Sequence, residues 1–197
     1  MMNFINNGSY SKEELEKIHY GLECIYIFIT KGIVVFTIAY LLGILKYTLF
    51  FLTVYGLLRM FACGLHATKS WICMISSALI FIIIPYICKI LIINKYIRIF
   101  LMIISTILIF IYAPADTKKR PIINKNKRLR FKIISTFISF TYITANLFIK
   151  NNFILNSLAF GLILETIMIL PITYKIFNLP YNNYINYLKS HNLEGRI

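Results

Sequence analysis

Acidic residues are scarce in this chain: seven Asp and Glu stand against 21 Lys and Arg in 197 residues, a formal charge of +14. Cysteine is sparse as well. Cys24, Cys63, Cys73 and Cys88 show no disulfide-scaffold spacing, and in a chain held mainly in lipid and cytosol they are expected as free thiols. Linkers rich in Gly, Ser or Pro, internal repeats and composition breaks are all missing, so residues 1–197 read as one domain. No Ser-His-Asp arrangement, phosphate-binding glycine loop or nucleotide fingerprint is visible, and no cofactor is called for. The amino-terminal segment lacks an early apolar core and carries Lys12, Glu13, Glu14, Glu16, Lys17 and Glu23, so it does not read as a signal peptide. Insertion is expected to use internal segments.

What the chain has in excess is hydrocarbon. It is 59% hydrophobic with a mean hydropathy of +0.74, where soluble domains sit at about 45–50% apolar. The solvent is therefore lipid, and the backbone must satisfy itself within helices. The expected class is all-α, a polytopic helical membrane protein. The positive charge is concentrated: residues 114–132 carry Lys118, Lys119, Arg120, Lys125, Lys127, Arg128, Arg130 and Lys132 against Asp116 alone, half of the whole net charge. Set between two apolar runs, such a block is first a topology signal, because positive loops stay cytoplasmic. It excludes nucleic acid as the leading explanation of the charge; contact with anionic lipid or an acidic peptide comes second.

Ser11-Lys12-Glu13-Glu14 has capping-box form, and Leu15, Ile18, Leu22 and Ile25 follow at helical spacing, which predicts an amphipathic surface helix over 11–24. Residues 32–58 are apolar apart from Lys46. Two full spans would need roughly 40 residues, so this run either crosses once or forms a short hairpin, with Gly43 and Lys46 favouring a break. Four clear transmembrane helices are predicted over about 72–94, 97–113, 131–150 and 152–173. With the basic block in the cytoplasm, His66 and Cys73 fall at the cytoplasmic face. Lys89, Lys95 and Arg98 in the opposite loop oppose that orientation, three charges against eight.

Between Arg59 and Cys73 the chain reads RMFACGLHATKSWIC, a polar stretch between apolar runs. Ionisable groups at a membrane edge are costly to keep and are functional candidates, and a Cys with a nearby His is the minimal equipment of a thiolate nucleophile. On one straight helix His66 and Cys73 would stand about 10 Å apart along the axis, while a general base must come within about 3 Å of its thiol. A break at Gly64, or a new helix capped by Thr68 or Ser70, would put Cys73 in a first turn, where free N–H groups and Lys69 favour a thiolate. Plainer roles stand beside these: a packed Cys, a solvated His, a snorkelling Arg59, a helix-contact Gly64. Cys63-x-x-His66 with Cys73 falls short of the four ligands of a structural zinc site, so no metal is expected. Asp116 and Glu165 are acids near or within the spans. Asp116 suits a turn, and Glu165 must pair or be protonated, with either able to orient His66.

The spacing Arg-x4-Gly-x-His-Ala-x5-Cys, carried by Arg59, Gly64, His66, Ala67 and Cys73, resembles the accessory gene regulator protein B family of membrane endopeptidases. Residues Ala113 to Ile122, with Pro114, Lys118, Lys119, Arg120 and Pro121, look like that family's proline-flanked basic loop. The resemblance implies a multi-pass protein of the bacterial cell membrane, with His66 and Cys73 catalytic and Arg59 and Gly64 positioning or binding substrate. Its implied partner is an AgrD-like precursor peptide, whose acidic tail would be cut off and whose own Cys would then close a thiolactone ring to give a quorum-sensing signal. Lys118, Lys119 and Arg120 would dock that tail. A homo-oligomer is compatible with this reading. The competing classes are a small permease or peptide exporter and a structural membrane subunit, neither of which needs the thiol of Cys73.

Overall fold

The computed structural model describes residues 12–65, 70–117 and 121–190. These form eight helices: α1 (Lys12–Leu41), α2 (Leu45–Ala62), α3 (Ser70–Ile90), α4 (Lys95–Tyr112), α5 (Lys125–Phe148), α6 (Asn152–Ile169), α7 (Pro171–Ile176) and α8 (Asn183–Ser190). Four of them, α2, α4, α5 and α6, are long and apolar enough to cross a membrane, and the apolar parts of α1 (Ile29–Leu41) and α3 (Met74–Ile90) are shorter. The chain is thus the all-α, multi-pass membrane protein its composition requires.

The surface helix expected over 11–24 is only the first part of α1, which runs on without interruption to Leu41. The 25–31 stretch, IYIFITK, contains no Gly or Pro to stop it. Of the two alternatives for residues 32–58, the break holds. Gly43 has φ +66°, a left-handed conformation that glycine adopts without steric cost, and α1 and α2 pack on either side of the turn. The predicted 152–173 span is divided in two because Pro171 begins α7 and cannot continue α6. The basic block is also not all loop: Asn124 accepts a hydrogen bond from the Lys127 N–H at 3.1 Å and starts α5 at Lys125, so Lys125 to Lys132 are helical.

Helix α6 is the centre of the bundle. Over half of it (56%) is buried, against 22–28% for the other three spans, and α2, α3 and α4 pack around it. Leu158, Ala159, Leu162 and Ile169 of α6 meet Val54, Leu58, Met102 and Ile109 in the core. Outward-facing residues such as Phe100, Ile104, Phe110, Phe137 and Phe140 are exposed, as lipid-facing positions should be. At one end of the bundle Arg98 is only 4% exposed and is held by amides rather than acids: its Nε donates to Asn146 Oδ1 at 2.8 Å and Nη1 to Asn156 Oδ1 at 3.3 Å. Asn156 in turn donates to the carbonyls of Cys88 and Leu91, closing the α3–α4 turn.

Candidate functional site

The ends of α2, α4 and α6 meet at the other end of the bundle, where Ala62, Gly64, Leu65, Ala115 and Met168 are tied together and Arg128 of α5 reaches Asp116. Helix α2 stops at Ala62 because the chain turns left-handed twice, at Cys63 (φ 61°) and Gly64 (φ 103°). Gly64 is therefore the bend residue, and space as well as conformation requires it. A Cβ there would stand 2.5 Å from Arg59 Nη1 and 2.9 Å from the Met168 carbonyl oxygen. The turn is tied on every side. Gly64 N–H donates to the Ala115 carbonyl at 2.7 Å, Ala115 N–H donates to the Ala62 carbonyl at 3.0 Å, and Leu65 N–H donates to the Met168 carbonyl at 3.0 Å.

Arg59 is turned inward rather than snorkelling. Its Nη1 faces the Glu165 carboxylate, 3.4 Å and 3.5 Å from the two oxygens, and its Nη2 donates to the Leu65 carbonyl. Glu165 is fully buried in α6 and accepts a further hydrogen bond from Tyr55, one turn before Arg59. The acid foreseen as needing a partner finds it in the arginine of the opposite motif. Through Arg59 it is linked to the carbonyl of Leu65; the expectation that Glu165 or Asp116 orients His66 falls outside the described residues.

Cys73 lies in the first turn of α3, which starts at Ser70; the expected cap at Thr68 or Ser70 falls outside what is described. His66, Ala67, Thr68 and Lys69 lie outside the described residues, as do Lys118, Lys119 and Arg120. Cys63, at the end of α2, is a half-buried free thiol whose pKa is pushed up by burial, against an opposite pull from Arg59. It stays a thiol at neutral pH and makes a poor nucleophile. Among the described residues no three His, Cys, Asp or Glu side chains converge on a common point.

Asp116 is more than a turn residue. It is 3% exposed, and its carboxylate accepts from the backbone N–H groups of Asn183 (3.0 Å), Tyr184 (2.8 Å) and Ile122 (3.4 Å), with Arg128 Nη1 at 3.6 Å. It thereby caps α8 and joins the carboxyl-terminal segment to Ile122 and Arg128 within the basic stretch. The Arg128 guanidinium lies 3.7 Å from the centre of the Tyr184 ring. Tyr174 donates to the Asp116 carbonyl at 3.1 Å, and burial raises its phenol pKa. Asp116→Ala should therefore loosen α8 specifically, by about 1–2 kcal/mol for the lost cap. Amide exchange over 183–190 should accelerate while the core of α6 stays protected, and unchanged exchange there would show that the cap is not what holds α8.

A family model described as Accessory gene regulator B matches residues 1–169. The chain is 34% identical over 174 residues to an AgrB-like protein of Clostridium acetobutylicum, covering 88% of this chain and 83% of that one. It is 36% identical over 158 residues to the accessory gene regulator protein B of Staphylococcus aureus (80% and 83% covered), and 37% over 156 residues to that of Staphylococcus epidermidis (79% and 79%). No solved structure matches the chain.

Proposed function

Since the chain belongs to the accessory gene regulator B family, we propose that it is a membrane cysteine endopeptidase that matures an AgrD-like precursor peptide for accessory gene regulator quorum sensing. The observation that carries the reading is the braced turn at Cys63–Leu65. It ends immediately before His66 and leads into the helix whose first turn holds Cys73. A turn tied to α2, to the segment after α4 and to α6 suits a base that must meet its thiol within hydrogen-bond reach.

His66 takes the Cys73 proton, and the N–H groups opening α3 favour the resulting thiolate. The thiolate adds to the carbonyl carbon of the bond before the acidic tail. As the C–N bond breaks, the tail leaves as an amine carrying the proton from His66, and an acyl-Cys73 thioester remains. The peptide's own Cys then attacks that carbonyl, closing a thiolactone ring and returning Cys73 to its free form. One thioester replaces another, so the exchange is nearly neutral in energy, a physical reason for a Cys rather than a Ser. Lys118, Lys119 and Arg120 supply cations for the acidic tail. The test is incubation with a synthetic AgrD-type peptide. Mass spectrometry should find the released tail and an acyl adduct on Cys73, and release with no Cys73 dependence would overturn the reading.

The reading puts this end of the bundle in the cytoplasm, following its block of eight basic residues. The far end exposes four lysines, Lys46, Lys89, Lys95 and Lys150, still half the number in the basic block, while Arg98 is buried and counts little as a loop charge. Single cysteines at Ile123 and Lys150, in a cysteine-free background, leave the Asn124 and Asn151 caps in place. A membrane-impermeant maleimide on intact cells should label position 150 and spare 123. The reverse pattern would put the catalytic end outside.

A further inference from the structure

We infer that Glu165 is a positioning residue: from α6 it aims the Arg59 guanidinium at the Leu65 carbonyl and so fixes the turn that delivers His66. This rests on the cysteine-peptidase reading and names a part of its machinery. The geometry carries it. Arg59 Nη1 sits 3.4 Å from Glu165 Oε1 while Nη2 of the same planar group donates to Leu65 O, so one rigid fork reads a carboxylate and a carbonyl together. Leu65 N–H is held by Met168, one turn beyond Glu165 on α6, so both polar groups of the residue before His66 are referred to that helix. Gly64 leaves open the path by which the guanidinium reaches the carbonyl.

Energetics point the same way. A fully buried carboxylate paired with an arginine of 19% side-chain exposure brings little net stability, because desolvation offsets the attraction, and two well-packed apolar side chains often do as well or better. What apolar side chains cannot do is hold a carbonyl. The pair therefore separates into a stability role that methionines can replace and an orienting role that they cannot.

The experiment uses the full-length protein with Cys24, Cys63 and Cys88 changed to Ala, so that iodoacetamide reports Cys73 alone. The reference protein should alkylate rapidly at mildly acidic pH, and His66→Ala should slow it about tenfold as the thiolate fraction falls. The Arg59→Met/Glu165→Met double variant should insert and melt like the reference, yet show the His66→Ala alkylation profile and lose about 100-fold in kcat on a synthetic AgrD-type peptide, as misplacement of a base by about 1 Å costs. Arg59→Lys keeps a charge opposite Glu165 but loses the fork, and should behave in the same way; it serves if the double variant accumulates poorly. A reference-like alkylation profile in these variants overturns the positioning role and leaves the peptidase standing. A reference protein whose alkylation is indifferent to His66 overturns both.

Discussion

Cys73→Ala should abolish tail release from the precursor peptide while the protein still inserts and accumulates. The effect should be total because the thiol is the group that forms the acyl-enzyme; without it neither cleavage nor ring closure has a path. Cys73→Ser should be nearly as inactive, since a hydroxyl near neutral pH is a far weaker nucleophile at a site arranged for a thiolate. His66→Ala should cost on the order of 10²–10⁴-fold, the usual worth of a positioned general base. The remaining thiols act as internal controls. Burial keeps Cys63 protonated, Cys88 is buried within α3, and Cys24 lies on α1, so each change to Ala should leave cleavage near normal. Tail counts by mass spectrometry, normalised to protein in the membrane, would settle the comparison. Normal release by Cys73→Ala would bring the exporter class forward.

The helices were legible because hydrocarbon thickness dictates their length and apolar runs dictate their place. Three of the four predicted spans fall on α4, α5 and α6 and the fourth on α3, while α2, where the sequence left a single span or a hairpin open, is also long enough to cross, and Gly43 marks the turn between α1 and α2. Their ends were less legible. Local side chains decide them: Asn124 starts α5 inside the basic block, and Pro171 stops what hydropathy shows as one continuous run. The first turn of α3 could be anticipated from Ser70 and Cys73.

The long-range pairs of the site were hidden for a different reason. A lone Arg at the end of one span and a lone Glu within another each signal the need for a partner at membrane depth, yet 106 positions separate Arg59 from Glu165, and only packing says that they meet. The Ala115 and Met168 carbonyls carry no side-chain signal at all. Asp116 showed its charge but not its task, because the N–H groups it caps belong to α8, 67 and 68 positions away. Arg98 makes the contrast at the far end: buried and held by Asn146 and Asn156, it is indistinguishable in sequence from the loop lysines beside it.

Gly64→Ala should be the most damaging change outside the catalytic pair. Its backbone, at φ 103°, lies where an L side chain is strained, a cost of about 1–3 kcal/mol by itself. The added methyl would also stand 2.9 Å from the Met168 carbonyl oxygen, which is backbone and cannot swing aside, and 2.5 Å from the Arg59 guanidinium. Relief must come from moving Arg59 off the Leu65 carbonyl or from opening the turn off α6, and either change releases the segment that carries His66. Cleavage should therefore fall at least about 100-fold, with a lower melting temperature in detergent. Gly56→Ala is the matched control: it lies within α2, and nothing stands within 4 Å of its added Cβ. It should leave cleavage intact and raise helix stability by about 0.5–1 kcal/mol. Equal activity of the Gly64 and Gly56 variants would mean that the turn at Cys63–Leu65 tolerates rearrangement, and that the base does not depend on it for its position.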